Sequence, residues 1–286
     1  MIFQARKVIL ACILSVFLVF SVAVGAQAYS DILAFGDSLS DNGRYGQYNT
    51  ANSYTNPADT YGLKRFSNGP VWVEYLAQNL GVSLLDMAYG GATTSNDAPA
   101  AAAYGGLTML GLQWQVGVYG ATFNTISANT LITVWAGGND MFNGRDPITA
   151  AANIASAIQN LIGMGGMTFL VPNLNLGNTW IAAFDPALAL DLAALELAHP
   201  GVDIDYLDLN QLTLTGINFY DGTFLAQTYG TGVYRWWDTV GVHPTTEVHQ
   251  QIGAYAAASV PEPASIILLI LGLAGLASVR KRMRMK

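Results

Sequence analysis

Along the chain, short apolar runs alternate with longer stretches of helical spacing. Residues 31–35 read as a strand ended by Gly36. Ser67-Asn68-Gly69-Pro70 open a helix that runs to about residue 80 and closes at Gly81. Residues 131–136 form an apolar, β-rich run ending in glycines. Asp146-Pro147 open a helix to about residue 162, stopped by Gly163. A buried strand follows at 168–171, ended by Pro172; Asp185-Pro186 open a third helix, to about residue 198. A strand at 202–207 and a helix at 245–258 complete the body. Residues 98–120, rich in Ala, Gly and Tyr, read as a loop or loosely packed helix, with a bland insertion favoured over a substrate lid. Apolar strands alternating with helices predict a mainly parallel sheet covered on both faces. Such sheets gather reactive groups at the carboxyl ends of their strands.

The two ends follow a different pattern. Arg6 and Lys7 precede an apolar run at 8–24, interrupted only by Ser15 and Ser21, and Ala26-Gln27-Ala28 supplies a small-x-small cleavage pattern. Residues 1–28 are therefore read as an export signal, cleaved after Ala28. At the other end, Val260-Pro261-Glu262-Pro263 breaks the preceding helix, residues 264–279 are almost wholly apolar, and five Lys and Arg follow at 280–286. Sixteen helical residues span about 24 Å against a hydrocarbon layer of roughly 30 Å. The basic tail favours the cytoplasmic side. One reading is a plain membrane anchor. The order Pro-Glu-Pro, apolar helix, basic cluster also resembles the PEP-CTERM sorting signal of Gram-negative bacteria. That resemblance implies transient inner-membrane anchoring by residues 264–279, processing near Pro-Glu-Pro by a membrane protease, and delivery to the cell surface, outer envelope or extracellular matrix. The chain thus divides into a signal peptide (1–28), a body of one domain (29–259) and a sorting signal (260–286).

Removing the ends changes the charge. The body keeps Arg44, Lys64, Arg65, Arg145 and Arg235, while all 19 carboxylates lie between Asp31 and Glu262, a net charge near −14. This argues against nucleic acid and anionic lipid surfaces as partners. At 52% hydrophobic residues the 286-residue chain is not a disordered protein. Its single Cys12 lies in the signal, so neither a disulfide framework nor a multi-cysteine metal site is available. The three histidines lack zinc-site spacing, and Asp37 and Asp41 lack the further oxygen ligands of a calcium loop. No Gly-rich nucleotide loop stands in a strand–helix setting. No metal and no cofactor are expected.

Four motifs carry candidate chemistry. Phe35-Gly36-Asp37-Ser38-Leu39-Ser40-Asp41 puts Ser38 in a turn just after a strand. A serine hydroxyl is a weak nucleophile and needs a base and a prepared anion site. Tyr89-Gly90-Gly91-Ala92-Thr93-Thr94-Ser95 offers glycines that let a backbone N–H approach a ligand. Ala136-Gly137-Gly138-Asn139-Asp140 sets an amide donor after a strand. Trp236-Trp237-Asp238-Thr239-Val240-Gly241-Val242-His243-Pro244 places His243 on a loop entering the last helix, with Asp238 nearby to orient its ring. Taken singly, each also reads as a turn or a helix cap.

Together they resemble the GDSL (SGNH) esterase/lipase family, over residues 32 to about 253, and Arg65-Phe66-Ser67-Asn68-Gly69 adds to the likeness. The resemblance implies a flavodoxin-like three-layer α/β/α sandwich and a catalytic set of Ser38, Asp238 and His243. It also implies an oxyanion hole from the Ser38 and Gly91 N–H groups and the Asn139 amide. The family sets its Asp three residues before the His; here that position holds Val240 and Asp238 lies five before. A two-residue expansion accounts for the difference, with Asp203, Asp205 and Asp208 as alternatives, or a Ser–His dyad. The function implied is a secreted serine carboxylesterase or lipase of lipid metabolism, acting through an acyl-enzyme on a small-molecule or lipid ester. Phospholipase and thioesterase activity are also compatible with the family. The alternatives are an O-deacetylase of a matrix polysaccharide, with exopolysaccharide association, and a non-catalytic surface binding protein on a hydrolase scaffold.

Overall fold

Strand β1 (Asp31–Gly36) is buried from Ile32 onward and pairs in parallel with β3 (Thr130–Trp135), all six of whose residues are buried. Burial on both faces is what a central strand of a helix-covered parallel sheet requires. In the computed structural model, residues 29–44, 65–99, 107–174, 177–216 and 242–260 are described. They fall in one unit, Tyr29–Val260. Around β1 and β3 stand β2 (Ser83–Asp86), β4 (Thr168–Pro172) and β5 (Asp203–Leu207), in the order β2-β1-β3-β4-β5, all parallel. Helices α1 (Trp72–Leu80) and α6 (Thr246–Ser259) pack together on one face. Helices α2 (Leu112–Phe123), α4 (Pro147–Gly163) and α5 (Thr179–Ala198) form the other layer, and a short α3 (Gly138–Phe142) follows β3. This is the flavodoxin-like three-layer sandwich. The chain builds β2 on one side of β1 and then crosses to β3 on the other. The carboxyl ends of β1 and β3 therefore flank the switch point where α/β sheets of this order bind ligands.

Three elements differ from the sequence reading. Helix α5 begins two turns before Asp185-Pro186, capped by Asn178, whose Oδ1 accepts from the Ile181 N–H at 3.0 Å. Pro186 sits inside the helix, where it removes one i→i−4 bond. The preceding turn is held by packing instead: Trp180 stacks on the fully buried Phe184. Strand β2 was not anticipated, because four residues beside a helix cap carry too little periodicity. The second half of the 98–120 segment is an ordered helix, α2, that buries Leu112, Gln115, Val116 and Tyr119 and runs on to Phe123.

Among the described residues no helix is long and apolar enough to cross a membrane. The export signal, the apolar run at 264–279 and Asp238 lie outside the described residues.

Candidate active site

Gly36 ends β1 at φ +148°, so close to β3 that a Cβ there would collide with the Trp135 carbonyl. The next residue winds a tight turn. The Asp37 carbonyl accepts from the Ser40 and Asp41 N–H groups at 3.1 and 3.0 Å, and its Oδ1 accepts from the Leu39 N–H at 3.0 Å. Ser38 rides on this turn, largely buried, with its Oγ 2.7 Å from His243 Nε2. Residues 205 positions apart in sequence thus form a direct hydroxyl–imidazole hydrogen bond. With Nδ1 carrying the ring proton, Nε2 accepts from the serine hydroxyl.

The segment from Arg65 to Pro70 is the platform for His243. Phe66 packs on the His243 ring at a centroid distance of 5.1 Å. The Ser67 hydroxyl donates to the Pro244 carbonyl at 3.0 Å, and Asn68 Oδ1 accepts from the Thr246 N–H at 2.8 Å. The Thr246 hydroxyl donates to the Pro70 carbonyl at 2.9 Å. The buried Arg65 guanidinium grips Glu74 at both carboxylate oxygens, 2.7 and 2.6 Å, and Glu74 also accepts from the Val71 N–H at the start of α1. His249, without a local partner in sequence, has one in space. Its Nδ1 accepts from the Trp72 N–H at 3.2 Å, and the Trp72 indole N–H donates to Ser40 Oγ at 3.0 Å. Burial, helped by the nearby His243, pushes the His249 pKa down to about 3.

Gly91 and Asn139 lie beside this pair. The Gly90 N–H donates to Asp41 Oδ2 at 2.7 Å, and Gly91 follows at φ +82°, a left-handed conformation that favours glycine. Neither the Ser38 nor the Gly91 N–H donates to a protein acceptor among the described residues. Asn139, in the first turn of α3, donates from Nδ2 to the Ala92 carbonyl at 3.0 Å and lies 3.4 Å from Asp37 Oδ2. Burial pushes the Asp37 carboxyl up to about 7, opposed by its Leu39 N–H bond. The arrangement pairs a hydroxyl with an imidazole, with a glycine loop and an amide side chain nearby, which suits acyl transfer.

Asp238 lies outside the described residues. Asp203 and Asp205 are on β5, three strands from β1 and so about 14 Å away across the sheet. Asp208 accepts from Asn173, Asn210 and Gln211. Asp41 binds the Gly43, Arg44 and Gly90 N–H groups, so it acts as a backbone acceptor. Among the described residues no cluster of His, Cys, Asp or Glu could hold a metal ion. Sequence reading passed over Gln115 and gave no role to Thr94 and Asp140, which pack behind the site. Their only sequence signal was a polar residue inside an otherwise apolar or glycine-rich run.

The fold and this site define a hydrolase of the α/β/α sandwich type. The chain belongs to the GDSL-like Lipase/Acylhydrolase family, whose model matches residues 32–256. Residues 259–282 match the PEP-CTERM protein-sorting motif. Among curated proteins, it is 35% identical over 150 residues to a thermolabile hemolysin of Vibrio parahaemolyticus, covering 50% of this chain and 33% of that one. It is 31% identical over 145 residues to a phosphatidylcholine-sterol acyltransferase of Aeromonas hydrophila, covering 44% and 40%. The matches thus span well under half of these relatives' length. A solved structure of a lipolytic G-D-S-L family member from Veillonella parvula matches 80% of this chain and 97% of its own, at 17% identity and a TM-score of 0.47. A family two carbohydrate esterase mutant from Clostridium thermocellum matches 82% and 64%, at 12% identity and a TM-score of 0.48.

Proposed function

We propose that the protein is an exported serine hydrolase of neutral carboxylic or lipid esters. The observation that carries this reading is the 2.7 Å hydrogen bond between Ser38 Oγ and His243 Nε2. Ser38 Oγ attacks the ester carbonyl carbon while His243 takes its proton. The oxyanion receives the Ser38 and Gly91 N–H groups and the Asn139 amide hydrogen that otherwise makes the long, 3.4 Å bond to Asp37 Oδ2. His243 then protonates the leaving alcohol, and water, activated by the same imidazole, releases the acid and regenerates Ser38. Asp238 is assigned the role of holding the His243 ring in the productive tautomer.

Neutral substrates are favoured by the Phe66 ring on His243 and by the acidic body. The signal at 1–28 and the sorting motif at 259–282 support export to the cell envelope, with residues 264–279 as the transient anchor and a membrane protease as processing partner. Residues 29–259 would be the working domain. The relative described as a phosphatidylcholine-sterol acyltransferase is the reason to include a phospholipid among the test esters.

The test is turnover of p-nitrophenyl esters of graded chain length and of phosphatidylcholine, with Ser38→Ala and Asp238→Asn beside the parent protein. Hydrolysis abolished in Ser38→Ala and sharply reduced in Asp238→Asn is expected. Equal turnover in Ser38→Ala, or no turnover of any ester by a folded parent, overturns the reading.

A further inference from the structure

Asn139 and Asp140 are consecutive residues of α3, and both reach the same glycine loop. The Asn139 amide donates to the Ala92 carbonyl at 3.0 Å. The Asp140 carboxylate, almost fully buried, accepts from the Thr94 N–H with Oδ2 and from the Thr94 hydroxyl with Oδ1, both at 2.8 Å. Three bonds therefore fix α3 to Ala92 and Thr94, just beyond Gly91. The far side is braced as well: Asn153 Nδ2, on α4, donates to the Thr94 hydroxyl at 3.1 Å and approaches Ser95 Oγ at 3.3 Å. Gln113 Nε2 donates to the Asn153 carbonyl at 2.6 Å. Arg145 donates to Thr93 Oγ1 and Asp97, which pins the next stretch of the loop.

This matters because two of the three proposed anion donors come from different elements. Gly91 belongs to the loop after β2, and Asn139 to the helix after β3, on opposite sides of β1. Nothing in the sheet itself sets the distance between their N–H groups to the few tenths of an ångström that oxyanion stabilisation needs. We infer that the Thr94–Asp140 pair is a positioning device for the oxyanion hole, locking the Gly91 N–H and the Asn139 amide into one register. Asp140 and Thr94 touch no reacting atom; they act through Asn139 and Gly91. The inference rests on the ester-hydrolase reading of the same site.

The test is a double-mutant cycle on the full chain, with an ester that the parent turns over. Thr94→Val removes the hydroxyl donor and keeps the N–H; Thr94→Ser keeps both. Thr94→Val is expected to lower kcat about 10-fold or more with KM little changed, as misplacement of a reacting group by a fraction of an ångström does. Thr94→Ser restores most of the rate. In an Asn139→Ala background the same Thr94→Val change is expected to cost less than about 3-fold, because with Asn139 gone there is no longer a pair of donors to hold in register. Asp140→Asn, which retains one acceptor oxygen, falls between. Thermal unfolding of each variant reports whether the fold is retained. A full, multiplicative loss in the Asn139→Ala background, or a loss confined to KM or to melting temperature, overturns the positioning role. Undiminished turnover in Ser38→Ala overturns the hydrolase reading instead, so the two failures are distinguishable.

Discussion

Gln115 clasps the peptide of Gly36 from both sides. Its Oε1 accepts from the Gly36 N–H at 3.0 Å, and its Nε2 donates to the Gly36 carbonyl at 2.8 Å and to the Leu110 carbonyl at 2.9 Å. A buried side chain on α2 thereby completes the hydrogen bonding of the last residue of β1, two positions before Ser38. Gln115→Leu keeps the volume and strands the Gly36 N–H. A buried unpaired donor costs about 1–3 kcal/mol, and in a domain of this size each kcal/mol lowers the melting temperature by about 2–4 °C. The expected result is a fall of about 5 °C with reduced turnover. An unchanged melting temperature would show that the clasp does not stabilise the nucleophile turn.

Asn139→Ala removes one of the three proposed oxyanion donors. Loss of such a donor typically lowers kcat by about 10²–10³-fold. The expected loss falls on kcat with KM nearly constant, since the bond strengthens only as the oxyanion forms. Initial-rate kinetics on a p-nitrophenyl ester decide it; turnover equal to that of the parent removes Asn139 from the mechanism.

His249 binds protons less well folded than unfolded, because its pKa falls from the ordinary 6.5 to about 3. Its contribution to stability is therefore present above pH 6.5 and is lost as pH falls toward 3. The slope is about 1.4 kcal/mol per pH unit for one proton. His249→Gln offers the Trp72 N–H an acceptor and cannot titrate. Urea midpoints measured from pH 7 to pH 4 should fall less steeply for this variant. Parallel curves would mean that the ring is not held neutral.

Asp37 has the opposite sign. Burial raises its carboxyl pKa from 3.8 to about 7, so the folded protein holds this proton more tightly. Stability from this group is complete below pH 3.8 and is lost as pH rises through 7. Asp37→Asn keeps an acceptor for the Leu39 N–H and abolishes the ionisation. The variant should gain melting temperature relative to the parent on going from pH 5 to pH 8. A constant difference between the two proteins across that range would contradict the buried, proton-holding carboxyl.

Gly253 lies where α6 crosses α1, and a Cβ there would come within 2.6 Å of Tyr75 Cβ and 2.8 Å of the Trp72 carbonyl. Gly253→Ala gains about 1 kcal/mol of helix propensity but forces the helices apart, and overpacking of a close contact costs about 1–3 kcal/mol. A net loss of stability is expected. Slower turnover should accompany it, because α6 follows directly from the loop that carries His243. Both are read from one thermal melt and one ester assay, and a stabilised variant would show that the crossing can relax.

The alternation of apolar runs and helical stretches determined the class of the fold, because buried parallel strands must be apolar on both faces and each needs a crossover helix. The motifs around Ser38, Gly91, Asn139 and His243 were legible too, since each depends on a local turn or glycine that the residues themselves dictate. Helix α5 was misread locally: Asp185-Pro186 has the signature of a helix start, but the buried Phe184 and the partly buried Trp180 stacked on it extend the helix two turns earlier. Strand β2 was invisible because four residues beside a helix cap carry too little periodicity. A different limit hid the supports of the site. Gln115 on Gly36, His249 on the first turn of α1 and Asp140 on Thr94 are hydrogen bonds between elements distant in sequence, and only closure of the sheet brings them together. Sequence fixes which groups can donate or accept. Which donor meets which acceptor is decided by packing, where leaving a buried polar group unpaired costs more than rearranging a side chain.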